Sequence, residues 1–290
     1  MIENLIRVPL IEESTSTKHD KLAIASYGPP GSGKTHFCLS APVGKHSKGG
    51  LGIIPLERKS KPTFQKENKL RSTPKRLYFP SYDLIRHENP MQVVSMKGDC
   101  KEDKEVTNTP QPPKCCEIHY YRWHRIRFLA AYYSMLEVPY IETVIIDSGS
   151  QLKEDLLMAH YGRTQRILSR DRGLFNQDWK DILNAGQHKH LIITHHPSDV
   201  WKNDKPTGQT TWDGYNKLGH GTNLIIKHSH DPKEQKWSME CVLCTNRPEL
   251  IGHSLPCFDI ESDDEFPNEE LTFQNVAMSV YPDADPEDYE

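Results

Sequence analysis

Eight consecutive residues constrain this chain more than any others: Gly28, Pro29, Pro30, Gly31, Ser32, Gly33, Lys34 and Thr35. They fit G-x-x-x-x-G-K-[ST], in which glycines let the backbone curl until successive N–H groups point into one concavity. The preceding residues, KLAIASY (21–27), read as a buried strand, and HFCLSA (36–41) behind them can open a helix. A helix N-terminus adds its dipole to the same concavity, so strand, turn and helix together make a phosphate cradle. Lys34 is placed to reach β- and γ-phosphates, and the Thr35 hydroxyl to hold Mg²⁺. Residues 28–35 are therefore the expected nucleotide contacts, with ATP and Mg²⁺ as the ligands.

The rest of the chain suits a cradle of this kind. Short apolar runs at 51–57 (LGIIPLE), 77–85, 143–148 (TVIIDS) and 190–196 (HLIITHH) read as further strands. Helical patterns fall at 118–136, 151–160 and 176–186. Strands alternating with helices predict an α/β fold with a mostly parallel central sheet covered by helices. Two late β-like runs, 222–230 and 236–245, predict an antiparallel hairpin added to that sheet. Residues 58–76 are strongly basic, and 86–117 are polar with TNTPQPP inside and no period, as an insertion would be. The expected organisation is an N-terminal extension (1–20), a nucleotide-binding domain (21–256) carrying the insertion, and an acidic segment (257–290). In that last segment Phe273, Val276, Ala277, Val280 and Tyr281 form a helical stripe over 272–281, a docking helix, with a disordered tail beyond.

Asp147 closes the strand TVIIDS, so its carboxylate falls at the strand's C-terminal edge beside the cradle, where it can hold Mg²⁺ through water. Hydrolysis also needs a group that orients or deprotonates water. No acid follows Asp147, since Ser148 does, and Glu57 at the end of LGIIPLE is the better candidate; the alternative is a surface carboxylate beside Arg58 and Lys59. His195 and His196 end the strand HLIITHH. A histidine there can donate to phosphate, or can be satisfied by backbone; His195 is taken as the sensor.

GPPGSGKT, LGIIPLE and TVIIDSGSQL together resemble the RecA-like P-loop ATPases, over roughly residues 21–252 in motif order. In that family the strand after the cradle ends in the catalytic glutamate, and the Mg²⁺ aspartate is followed by serine. The resemblance is strongest to phage-encoded ATP-binding proteins with single-strand annealing or recombinase roles. It implies a DNA-stimulated ATPase with Lys34, Glu57 and His195 in the chemistry, and Thr35 and Asp147 on Mg²⁺. It further implies a ring or filament of identical subunits, single-stranded DNA as partner together with a single-strand binding protein, and the host cytoplasm as the place of action. RecA carries glutamine where this chain has histidine, so the sensor is a departure. A non-hydrolysing assembly switch and a small-molecule phosphotransferase are the rival classes.

Two segments sit where that family places DNA loops. Residues 160–173 carry Arg163, Arg166, Arg170 and Arg172. Residues 197–219, read as a polar loop, mix Trp201, Trp212 and Tyr215 with Lys202, Lys205 and Lys217. Cations on phosphates with bases stacked on aromatics is how single strands are held. By contrast, the aromatics crowding 118–136 read as core.

Charge and cysteine content bound what remains. The net charge of −4 conceals twelve acids and no Lys or Arg in 258–290, which leaves 36 basic against 28 acidic residues before them. Such a body can bind a polyanion while the tail competes for the same surface. No apolar run approaches the roughly 18 residues of a membrane span, and the first residues lack a secretory core. Seven cysteines are too few for a disulfide scaffold and fit a reducing, cytoplasmic setting. Two sets carry the residue types that zinc takes: Cys241, Cys244, His253 and Cys257, and Cys100, Cys115, Cys116 and His119. In the first, a regular strand would turn residues 241 and 244 to opposite faces.

Overall fold

The computed structural model describes residues 21–81, 100, 105–163, 172–202, 204–215, 217–257 and 271–289. Its centre is one mixed sheet of nine strands: β1 (Ala23–Tyr27), β2 (Gly50–Pro55), β3 (Leu77–Tyr78), β4 (Ile141–Asp147), β5 (His190–Lys202), β6 (Lys205–Asp213), β7 (Leu224–Asp231), β8 (Lys236–Cys244) and β9 (Ser254–Leu255). The order is β3-β2-β4-β5-β1-β7-β8-β9, with β6 paired to the outer part of β5. All neighbours from β3 to β7 are parallel, whereas β7–β8, β8–β9 and β5–β6 are antiparallel. This is the mostly parallel sheet with a late antiparallel hairpin that the sequence predicts.

Alternation along the central strands feeds two cores. Ile24, Ile53, Ile145, Ile192 and Ile226 face one layer, while Ala25, Ile54, Val144, Ile193 and Ile225 face the other. The first layer is covered by α1 (Lys34–Ser40), α2 (Ser60–Lys69) and α6 (Phe273–Val280), through Phe37, Phe64, Phe273 and Val276. The second is covered by α3 (Glu117–Glu137), α4 (Gly149–Tyr161) and α5 (Gly173–Ala185), through Phe128, Tyr132, Leu156 and Trp179. Because each strand is apolar on both faces, it has to lie between helices. Asp178, nearly fully buried, ties the second layer together by accepting from Arg125 (2.6 and 2.5 Å) and His160 (2.6 Å).

Four departures have physical reasons. Helix α2 lies in the basic stretch, where its buried stripe is Ser60, Phe64 and Asn68, so a single apolar side chain marks its inner face. Of the strand and exit expected over 77–85, the strand is Leu77 and Tyr78, ending before Pro80, which cannot donate to a ladder; residues 82–85 lie outside the described residues. The segment 197–219 is not a loop: β5 continues to Lys202 and turns back as β6, an arm whose alternation is polar on both faces. The tail expected to be disordered is packed. Tyr289, 2% exposed, lies in the first core against His190 (ring centroids 5.8 Å) and Phe273 (6.3 Å), with Ala284 buried beside it. Most of the acidic run, 258–270, lies outside the described residues.

Candidate functional site

The cradle forms where β1 ends. Gly33 has φ of 92°, a left-handed conformation that side-chain-bearing residues avoid. At Gly28 a Cβ would stand 2.4 Å from the His228 carbonyl oxygen, so only glycine lets the turn pass so close to β7. Trp237, on β8 and stacked on His230 (4.5 Å), donates from Nε1 to the Gly31 carbonyl (3.1 Å) and braces the turn from outside. Lys34 donates to the carbonyls of Gly28 (2.6 Å) and Pro29 (3.0 Å). Burial holds its ammonium below the usual lysine pKa, with Asp147 opposing the shift. The Ser32 hydroxyl is buried and has no hydrogen-bond partner among the described residues.

A cavity of about 750 Å³ opens over the cradle. Its lining includes residues 30–35 and, facing them, Glu57 just after β2, Asp147 at the end of β4 and His196 midway along β5. Asp147 accepts from Thr194 Oγ1 through its carboxylate and from Ser60 Oγ through its carbonyl (3.3 Å). Burial raises its carboxyl pKa, against the lowering effect of the Ser60 and Thr194 hydrogen bonds. Glu57 Oε1 accepts from His196 Nε2 (2.7 Å) and from Ser148 Oγ. The His196 bond, foremost, holds Glu57 below the usual carboxylate range, and the same bond raises His196 above an ordinary imidazole. Ser148 is also the N-cap of α4, accepting from the Gln151 amide (3.3 Å).

The cavity receives His196, not His195. On a strand Thr194 and His196 share a face and His195 takes the other. His195 is 1% exposed, with Nδ1 3.3 Å from the Asp213 carbonyl, and burial drives its pKa down to about 4. It is a neutral core histidine against Gly149 and Gly214. The period of two applied to THH would have found His196; nothing in the sequence marks Ser60 or Thr194.

Ser150, two residues into α4's first turn, joins the cavity to the arm. Its hydroxyl donates to the Asp213 carbonyl of β6 and accepts from the His196 amide of β5 (2.9 Å), while Lys153 pairs with Asp213 (2.6 Å). Beyond that root Trp201 is 62% exposed, and Lys202 and Lys205 are exposed beside it at the turn. Lys217 is exposed after β6. Trp212 and Tyr215 are not free to stack on bases. Trp212 donates to the Tyr215 carbonyl (3.3 Å) and packs on Tyr27 (6.1 Å), and Tyr215, 4% exposed, stacks on Trp179 (5.5 Å, 2° between planes).

Of the expected arginines, Arg163 pairs with the buried Glu117 (2.8 Å) while its side chain stays 56% exposed, and Arg172 immediately precedes α5. Arg166 and Arg170 lie outside the described residues. Cys241 and Cys244 prove to share a face, because the register with β7 shifts between them and a bulge adds one residue. Both are core thiols with Cys257, and burial pushes Cys241 up to about 12.

No protein-family model and no curated protein matches this chain. Solved structures do, among them the crystal structure of the RadB recombinase, at 14% identity over 80% of this chain and 84% of that one, with a TM-score of 0.41. Among the described residues no helix is long and apolar enough to cross a membrane.

Proposed function

We propose that this chain is a RecA-like ATPase that binds ATP with Mg²⁺, hydrolyses it, and acts on single-stranded DNA in recombination, annealing or repair, resembling phage-encoded proteins of that kind. One observation carries the reading: Lys34, Thr35, Asp147, Glu57 and His196, from four separate segments, line one cavity. That cavity lies within the size range of small-ligand sites, roughly 300–1,000 Å³. The Ser32 hydroxyl, without a partner among the described residues, the glycine turn and the ammonium bonded to loop carbonyls suit a phosphate chain. Thr35 and Asp147 suit Mg²⁺, which when bound offsets charge building on the phosphates.

In this reading Lys34 leaves the loop carbonyls for the β- and γ-phosphates. Glu57 takes the proton of the attacking water, and His196 takes the sensor's place that His195 vacates. Glu57 holds two donors, Ser148 and His196, and both lower its basicity. Turnover therefore needs His196 to move from Glu57 to the γ-phosphate, which frees one carboxylate oxygen for water. The exposed Trp201, Lys202 and Lys205 are the DNA contacts the fold best supports, with Lys217, Arg163, Arg166, Arg170 and Arg172 as further cations. Subunits would assemble as a ring or filament on the strand.

The same locked Glu57 gives the non-hydrolysing assembly switch its one supporting observation. ATP turnover with and without single-stranded DNA decides between them. Turnover that rises with DNA fits the ATPase; ATP binding with no turnover in either condition fits the switch. Turnover dependent on a nucleoside acceptor would displace both in favour of a phosphotransferase.

A further inference from the structure

Far along the chain from the cradle residues, four metal-ligating side chains meet. Cys100, Cys115, Cys116 and His119 place their ligand atoms all within 4.8 Å of one another. The His119 Nδ1 stands 3.3, 3.2 and 3.0 Å from the three sulfurs in that order. One imidazole nitrogen has one in-plane lone pair or one proton, so it can serve one thiol well and not three. A tetrahedral zinc with Zn–S of ~2.3 Å and Zn–N of ~2.0 Å would set sulfur and nitrogen about 3.5 Å apart. The observed separations are those of four ligands around one ion, drawn in by a few tenths of an ångström.

We propose that these four residues hold a structural zinc ion. Three thiolates and an imidazole in a closed tetrahedron are a zinc donor set, softer than Mg²⁺ or Ca²⁺ would accept. The position brings two of the ligands to the start of a helix. Cys116 is the N-cap residue of the 21-residue helix α3, Cys115 precedes it and His119 lies in the first turn, so one rigid element places three of the four. Cys116 is fully buried and His119 is 2% exposed, which closes the site to exchange on that side.

The ion has a clear structural task. Between residues 105 and 114 the only aliphatic side chain other than proline is Val106, so this stretch cannot bury itself. Two bonds to one carbonyl fasten it to α3: Trp123 Nε1 (2.8 Å) and Arg127 (2.6 Å) both donate to Thr109. A metal joining residue 100 and residues 115–116 to the start of α3 pins the second half of the insertion to the body, as metals do where a core is too small. None of the four ligands lines the nucleotide cavity, so the ion is independent of the ATP chemistry.

The test is metal content of the full-length protein purified under reducing conditions without chelator. One zinc per chain is expected by elemental analysis, retained through gel filtration. Cobalt in its place should give the visible bands and thiolate charge-transfer absorption of a tetrahedral site. Cys115→Ser and His119→Ala should lose the metal, and Cys241→Ser should keep it. If the first two variants do not fold, the wild type still decides: chelation under denaturing conditions should release one zinc as thiols 100, 115 and 116 become open to alkylation. A folded wild type that retains no transition metal after zinc loading overturns the proposal, as does a disulfide among these cysteines in reduced preparations.

Discussion

The cavity floor and the β5–β6 arm start from the same strand and differ in every physical respect. On the floor the Ser148 and Thr194 hydroxyls are buried, Glu57 and Asp147 are half-buried, and all are bonded to neighbours: Glu57 to Ser148 and to the more exposed His196, Asp147 to Thr194. On the arm the outer side chains are exposed, and polar residues line both faces. A buried polar group bonded to neighbours answers steeply to substitution, because its partners lose theirs too. An exposed one answers only through what it binds. The comparison therefore predicts large, all-or-none effects on the floor and graded, salt-dependent ones on the arm.

The largest effect belongs to Glu57→Gln. ATP binding should persist while turnover falls about 10²- to 10⁴-fold, because the amide cannot take the proton. Wild-type turnover in this variant would remove Glu57 from the chemistry and sharpen the case for a switch. Lys34→Ala should weaken ATP binding about 100-fold or more, as loss of a charge-assisted contact of roughly 3 kcal/mol does; isothermal titration reads it directly.

Acid should act on the body and spare the arm. Burial holds His190, His195 and His228 at about 3, 4 and 3. The unfolded chain takes up protons on all three below its ordinary histidine pKa, while the native state does not. Stability must therefore fall as pH drops from about 6.5 toward 4, by up to about 4 kcal/mol per pH unit where all three differ. His196 works the other way, since its raised pKa adds stability that is present at low pH and lost as pH rises through its native value. Denaturant midpoints across that range test this. A midpoint that does not move between pH 6.5 and 4.5 would contradict the burial of the three rings.

Within the segment 197–219 the two kinds of aromatic should separate. Tyr215→Ala should destabilise the fold by about 3 kcal/mol, as a stacked core aromatic does, and leave the DNA affinity of folded protein alone. Trp201→Ala should do the reverse: an unchanged melting temperature, and single-strand affinity lower by about 1–3 kcal/mol with the same salt slope. Smallest of all, Lys202→Ala with Lys205→Ala should flatten the log–log salt dependence by about 1.4, two phosphate contacts' worth. Anisotropy of a labelled oligonucleotide at several salt concentrations measures all three. If Tyr215→Ala alone weakens DNA binding, the division between floor and arm is misdrawn.

Much of this was readable from residues, and what was not has identifiable causes. The cradle is legible because eight adjacent residues satisfy one backbone requirement, and the central strands because apolar runs such as TVIIDS admit no exposed face. Glu57 and Asp147 were readable as strand-end carboxylates. The choice between His195 and His196 was lost by reading the pair as a unit when the strand turns each residue to a different side. The arm was unreadable because both of its faces are polar, which deletes the alternation that reveals a strand. Tyr289 lay among five acids, whose composition signals disorder, yet one aromatic ring against His190 and Phe273 outweighs them. The bulge in β8 leaves no trace in WSMECVLCT, so the shared face of Cys241 and Cys244 needed the structure.

Ser150 is a mechanical joint. Its one hydroxyl grips both rails of the arm at the root, bonding the His196 amide and the Asp213 carbonyl. Two residues earlier on the same helical turn, Ser148 grips Glu57. The arm is thus a cantilever clamped at the edge of the cavity, about 17 Å from His196 to Trp201 at strand rise. Any shift of α4's first turn is carried to both strands of the arm at once, because one hydroxyl joins them to that turn. Softening the clamp with Ser150→Ala would leave both ends intact and the lever between them slack.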